Sequence, residues 1–94
     1  MLGGGRKMIE IIKCLSDYNR LKILKILFHK KELCACELIK NLQITQSNLS
    51  KHMSKIIGAS LVHTRKDGKW SFYSLNQNIL TKYTFIAILL SEID

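Results

Sequence analysis

Apolar residues recur at helical spacing through the first half of the chain, and then the period changes. Met8, Ile11, Ile12 and Leu15 predict a first amphipathic helix. The triglycine at positions 3–5 before it reads as a flexible start. Ser16 or Asp17 is placed to cap a second helix, in which Leu21, Leu24, Leu27 and Phe28 mark a buried stripe that Lys30 and Lys31 break off. Ala35, Leu38, Ile39 and Leu42 predict a short third helix. Thr45, with Asn48 at the fourth position, reads as the N-cap of a fourth helix, with Leu49, Met53 and Ile56 on its inner side and Gly58 at its end.

Beyond it, "LVHTRKDGKWSFYSL" is rich in β-branched and aromatic residues around Asp67-Gly68, a strong two-residue hairpin signal. Asn78 to Asp94 returns to the helical period, with Ile79, Tyr83, Ile86, Leu90 and Ile93 in register. No linker, repeat or low-complexity tract interrupts the chain, so residues 1–94 read as a single domain. It is mainly α with a small β-hairpin wing, in the order α-α-α-α-β-β-α of a winged helix-turn-helix. A chain this short has a marginal core. Neither end helix can bury a full face alone, which predicts a homodimer built from the two ends of the chain, with Ile86 and Leu90 of the last helix at its interface.

Charge then narrows the partner. The formal net charge is +8, which points to a polyanion, nucleic acid before membrane. No run approaches the ~20 apolar residues of a membrane span, and "MLGGGRKMIEIIK" lacks the order of a signal peptide. Three cysteines are too few for a disulfide framework, so the expectation is a cytoplasmic protein with reduced thiols. An enzyme is not expected. The seven acids are scattered, the glycines cradle no phosphate, and a thiol oxidoreductase would favour Cys-x-x-Cys over the spacing found here.

The fourth helix is the candidate reader of double-stranded DNA. Opposite its apolar side lie Ser47, Ser50, Lys51 and Ser54, with Gln46 and Asn48 in the first turn. Short hydroxyls and amides suit base edges in a major groove, leaving phosphates to Lys51, Lys55 and the helix N-terminus. A merely solvated face would mix charges, yet no carboxylate lies between Leu42 and Asp67. The hairpin adds Arg65, Lys66 and Lys69 as a basic tip for a backbone or a minor groove. Trp70, Phe72 and Tyr73 on its stalk read as core and cross-strand packing rather than base stackers.

"LSDYNRLKILKIL", "ELCACEL", "LQITQSNLSKHMSKI" and "LVHTRKDGKWSFYSLN" closely resemble consecutive blocks of the ArsR/SmtB family of metal-responsive winged-helix repressors, in the right order from about Cys14 to Asn76. The resemblance implies a homodimer that represses a resistance operon until an ion binds. It maps Gln46, Ser47, Ser50, Lys51 and His52 onto the DNA-facing positions and "RKDGKW" onto the wing. "ELCACEL" is similar to the third-helix thiolate motif of the arsenite and antimonite sensors, which makes Cys34 and Cys36 the inducer ligands. Trivalent arsenic or antimony is the favoured inducer, with cadmium, lead or zinc as other choices; no cofactor is needed for DNA binding. There are departures. Ile39 stands where a third cysteine often follows the pair, the last helix holds no histidine, no cysteine-rich arm precedes the first helix, and Ser60 replaces the usual glycine before "LV".

Chemistry agrees with a switch at the pair. Soft thiolates select soft ions, and a helix start lowers a thiol's pKa. Residues two apart lie on nearly opposite sides of a helix, so two sulfurs on one ion require the first turn of the third helix to unwind, a bistable element. The same cysteines could be small hydrophobes in a packed helix. Cys14 is either core or a third thiolate. His29 reads as a helix-terminal cation, His63 as a strand surface residue and His52 as a phosphate or ordinary polar contact. Two other functions remain open: a winged-helix repressor whose cysteines sense redox state or sulfide, and a winged-helix protein-interaction module.

Overall fold

The computed structural model describes residues 2–93 as six helices and three short strands: α1 (Leu2–Leu15), α2 (Tyr18–His29), β1 (Leu33–Cys34), α3 (Ala35–Leu42), α4 (Gln46–Gly58), β2 (Val62–Asp67), β3 (Trp70–Leu75), α5 (Gln77–Lys82) and α6 (Thr84–Glu92). The strands form one antiparallel sheet in the order β1-β3-β2. Helices α2, α3 and α4 pack around a core of Ile23, Leu24, Leu27, Leu38, Leu49, Met53 and Ile56, closed by Ile11 and Cys14 of α1 and by Ile86 and Leu90 of α6. This is the winged helix-turn-helix the hydrophobic pattern predicts, with four differences in detail.

The first concerns α1. The triglycine is not a loose start but the first turn of α1, its carbonyls accepting from N–H groups one turn on. The apolar stripe is also split. Ile11, Cys14 and Leu15 are buried, whereas Ile9 and Ile12 stay 54% and 52% exposed. The second difference is β1, two residues that pair Leu33 with Tyr73 and Cys34 with Phe72. So short a strand carries no periodic signal.

The third is a break in the last helix. Tyr83 leaves helical geometry at φ −119°, ψ 78° and separates α5 from α6. Leu80, Ile86 and Leu90 are all buried. Positions 80 and 86 would lie about 120° apart around one straight helix at 3.6 residues per turn, at the two edges of a wide stripe, and the break lets both turn fully into one core. Asp94, the expected end of that helix, lies outside the described residues. Ile86 and Leu90 are fully buried within the subunit, so they belong to its own core and not to an interface. Phe85 and Ile88 carry the exposed apolar surface of α6 instead, at 42% and 61%.

The fourth lies at the hairpin. Asp67 pairs with Trp70, which leaves Gly68-Lys69 as the two-residue turn, one position later than Asp67-Gly68. Gly68 alone of the two has a positive φ, 61°, the arrangement that puts glycine first in a tight hairpin turn.

Two other residues take the left-handed conformation without being glycine: Gln43 at φ 55°, which ends α3, and Ser60 at φ 61°, just past α4. At the exit of α4, Leu61 N–H donates to Ile56 O at 3.2 Å and Ser60 N–H to Ile57 O at 2.9 Å, a Schellman closure with apolar Leu61 over Ile56. Ser60 is held there from both sides: Asn76 Nδ2 donates to its carbonyl at 2.9 Å, and Lys7 Nζ to its hydroxyl at 3.0 Å. Gln43 has no such side-chain hold among the described residues. Gln43→Gly should therefore raise stability by about 1 kcal/mol, as the left-handed penalty is relieved, and Ser60→Gly by less, because the Lys7 bond is lost. Urea unfolding of the two variants checks the order.

Candidate nucleic-acid interface and cysteine pair

Helix α4 is started by the expected cap: Thr45 Oγ1 accepts from Asn48 N–H at 3.0 Å. Its inner side buries Leu49, Met53 and Ile56. Gln46, Ser47, Asn48, Ser50, Lys51, Ser54 and Lys55 are exposed, and His52 is half-buried. The predicted reading residues thus share one open face. An open groove runs beside them, lined by Ser50, Lys51, His52, Ser54 and Lys55 and by a residue of α2, Arg20.

Sequence reasoning passed over Arg20. It follows the Asp17 cap, whose carboxylate accepts from Arg20 N–H at 3.1 Å. Its side chain runs inward beside the Cys14 thiol, and its buried Nε meets no acceptor among the described residues. A buried guanidinium nitrogen without a partner is costly, and the same side chain also lines the open groove beside α4. The signal was present: positions 20, 24 and 27 fall on one helix face, and a cation at the head of the inward stripe is out of place in a plain core helix.

The wing departs from a uniformly basic tip. Lys66 and Lys69 are exposed near the turn, but Arg65 is engaged lower down by Glu32, whose two carboxylate oxygens accept from Nη2 at 2.8 Å and Nε at 3.0 Å. Trp70 is not core. It is half exposed, with Lys69 Nζ 5.9 Å from its ring centre. Tyr73 does pack against the core, and burial pushes its phenol pKa up. Phe72 is partly buried under the Arg65 guanidinium, 4.4 Å from its ring centre.

The cysteine pair straddles the junction between strand and helix. Cys34 is extended at φ −80°, ψ 158° and caps α3, whereas Cys36 lies in the first helical turn. Cys34 is 6% exposed and Cys36 is open to solvent. Because Cys34 precedes the helix, its side chain and that of Cys36 converge without any unwinding of α3, contrary to the expectation of a broken first turn. The expectation of reduced thiols is also corrected. The two sulfurs form a disulfide across Cα atoms 5.4 Å apart, within the ordinary range for such a bond. Both acids of "ELCACEL" have local work: Glu32 holds Arg65, and Glu37 Oε1 accepts from Cys34 N–H at 3.3 Å, fixing the start of α3.

Cys14 is a free thiol, 1% exposed on α1. Burial raises its pKa above the ordinary thiol value, with Arg20 pulling the other way. The described residues contain no group of three side chains placed to hold a metal ion, so the structure joins Cys34 to Cys36 but does not gather Cys14 with them. His29 ends α2 against Phe28, and His63 is exposed on β2. No helix among the described residues is long and apolar enough to cross a membrane.

A helix-turn-helix with an open polar reading face, flanked by a hairpin wing, defines a winged-helix DNA-binding regulator. Residues 17–64 match the model of the bacterial regulatory protein, arsR family, and the chain belongs to that family. It is 45% identical over 75 residues to an arsenical resistance operon repressor of Staphylococcus aureus, a match that spans 80% of this chain and 71% of that protein. It is 38% identical over 61 residues to the cadmium resistance transcriptional regulatory protein CadC of Listeria innocua, across 65% of this chain and 51% of that one. Its fold superposes on HlyU from Vibrio cholerae with a TM-score of 0.81 at 31% identity, covering 95% and 94% of the two chains. The protein is a transcriptional repressor of the ArsR type and not an enzyme.

Proposed function

We propose that this protein is a homodimeric, metal-responsive repressor that holds operator DNA through α4 and the wing and lets go when a soft ion, trivalent arsenic or antimony, joins Cys34 to Cys36. The observation that carries the reading is the convergence of these two sulfurs at the β1–α3 junction, on a strand paired with the wing. Resistance to arsenicals in the names of relatives points the same way.

The DNA side divides by chemistry. Gln46, Ser47, Asn48 and Ser50 reach base edges in the major groove, and the exposed start of α4 offers its N–H groups to a phosphate. Lys51, Lys55, His52 and Arg20 line the groove that a phosphate strand would follow, and Lys66 and Lys69 carry the wing to the neighbouring groove. On the sensor side the residues fit a thiophilic ion in part. Reduction frees two sulfurs close enough to share one, and the exposed Cys36 is the point of entry. A bound ion supplies strong bonds to both sulfurs. The third bond falls to an outside thiol, because Cys14 is buried on α1 and is not gathered with the pair among the described residues.

The test is operator binding by reduced protein over a range of salt, with and without arsenite, antimonite, cadmium, lead and zinc. Affinity should fall steeply with salt as counterions are released, and the thiophilic ions should weaken it by about 5- to 150-fold. Flat salt dependence would remove the DNA reading. The disulfide itself favours a second reading, in which oxidation of the pair is the signal. Under that reading, reduced and oxidised protein differ in operator affinity while arsenite has no effect on the reduced form.

A further inference from the structure

Glu32 stands two residues before Cys34, and Arg65 stands on β2, 33 residues further along. Their contact is two-pronged, at 2.8 and 3.0 Å, and the guanidinium carbon also sits over Phe72, 4.4 Å from its ring centre. The sheet register supplies the connection. Phe72 is paired with Cys34 on one side and with Arg65 on the other, so Cys34, Phe72 and Arg65 form one row across the three strands. Glu32, just before β1, meets Arg65 at the end of that row through its carboxylate. An exposed ion pair adds little to stability. Two parallel hydrogen bonds and a stacked ring do fix orientation, however, and what they orient here is the wing strand relative to the strand that carries the cysteine pair.

We infer that the Glu32–Arg65 pair is a latch that holds the wing in its operator-binding pose and transmits the state of the cysteine pair to it. Arg65 is then a positioning residue, and the phosphate contacts of the wing belong to Lys66 and Lys69. The inference rests on the repressor reading above. An ion shared by the two sulfurs sets their separation at roughly 4 Å; with α3 left regular from Ala35, the adjustment falls on the two-residue β1, carries Glu32 with it, and parts the carboxylate from the guanidinium. The wing then loses its hold on β1 at the row where the two elements meet.

Charge makes the test decisive. Glu32→Gln raises the net charge by one, and bulk electrostatics alone would then tighten DNA binding. The latch requires the opposite: ion-free, reduced Glu32→Gln should bind operator about tenfold more weakly, within the ordinary range of coupling between sites. Arsenite should then weaken it little further. The double variant Glu32→Arg, Arg65→Glu leaves net charge unchanged and restores the pair with reversed polarity, so it should recover most of the operator affinity and of the arsenite response. Unchanged or tighter binding by Glu32→Gln overturns the latch. So does a double variant that binds more weakly than Glu32→Gln, since that identifies Arg65 as a phosphate contact. The ion-free comparison does not depend on the inducer. A wild type that binds operator but ignores every thiophilic ion would fail the proposed function, and the ion-free order of the variants would still judge whether the pair positions the wing. Circular dichroism of each variant verifies the fold.

Discussion

Cys34→Ser and Cys36→Ser are each expected to bind operator close to wild type and to lose release by arsenite and antimonite altogether. Neither side chain lies on the open face of α4, so the proposed DNA contacts stand. What disappears is one of two sulfurs, and a serine oxygen is a poor substitute for thiolate toward a soft ion. For the wild type the coupling should amount to about 1–3 kcal/mol, read as the shift of an operator titration followed by fluorescence anisotropy under reducing conditions. The two variants differ in one respect. Cys34 is buried, so its serine places a hydroxyl among apolar neighbours and should lower stability measurably, while the exposed Cys36 should tolerate the change. Cys14→Ser should keep the ion response and lose stability, as befits a core position. Release of DNA from the Cys34→Ser, Cys36→Ser double variant by arsenite would show that the sensor lies elsewhere.

An aspartate on the outward apolar face of either end helix should give a folded monomer. Ile12 on α1 and Ile88 on α6 are 52% and 61% exposed in the subunit, with Ile9 and Phe85 beside them at helical spacing. Isolated exposed apolar residues are common, but paired strips on the two terminal helices of so small a protein are the surface a second copy would cover. Ile12→Asp or Ile88→Asp should sediment as monomer at micromolar concentration and lose about 10²-fold or more in operator affinity, because the second half-site no longer binds intramolecularly. Ile86→Asp should behave differently. Its side chain is 0% exposed in the core, so the charge is buried and the fold collapses. A folded Ile88→Asp dimer with wild-type affinity would rule out α6 as the interface.

How much was legible in advance follows from the range of the interactions involved. The cap at Thr45, the inner and outer faces of α4 and the hairpin around Gly68 are decided within a few residues, and periodicity reveals them. The end helices were harder. An apolar residue facing the subunit's own core and one facing outward look alike in a pattern, so the periodicity sets Ile11 and Ile12 in one stripe and Ile86 at an interface, whereas burial puts Ile11 and Ile86 in the core and leaves Ile12 outside. The break at Tyr83 contains neither glycine nor proline; tertiary packing of Leu80 against the same core as Ile86 imposes it. The meeting of Glu32 with Arg65 depends on a two-residue strand, and no local signal announces a strand that short. The convergence of Cys34 and Cys36 was misjudged by one residue of helix start, which decides whether positions two apart diverge around a cylinder or meet at its rim.

The exit of α4 carries a last consequence. Lys7 of α1 donates to Gly58 O at 3.2 Å and to Ser60 Oγ at 3.0 Å, tying the first helix to the end of the recognition helix. In a dimer joined through the terminal helices, that tie sets how far apart and at what tilt the two recognition helices are presented, and two half-sites are read together only when their centres are about 34–36 Å apart, one turn of the duplex. Lys7 lies outside the proposed reading face, yet in such a dimer its replacement would change which operators are accepted by the number of base pairs between their halves, leaving the preference within each half as it was.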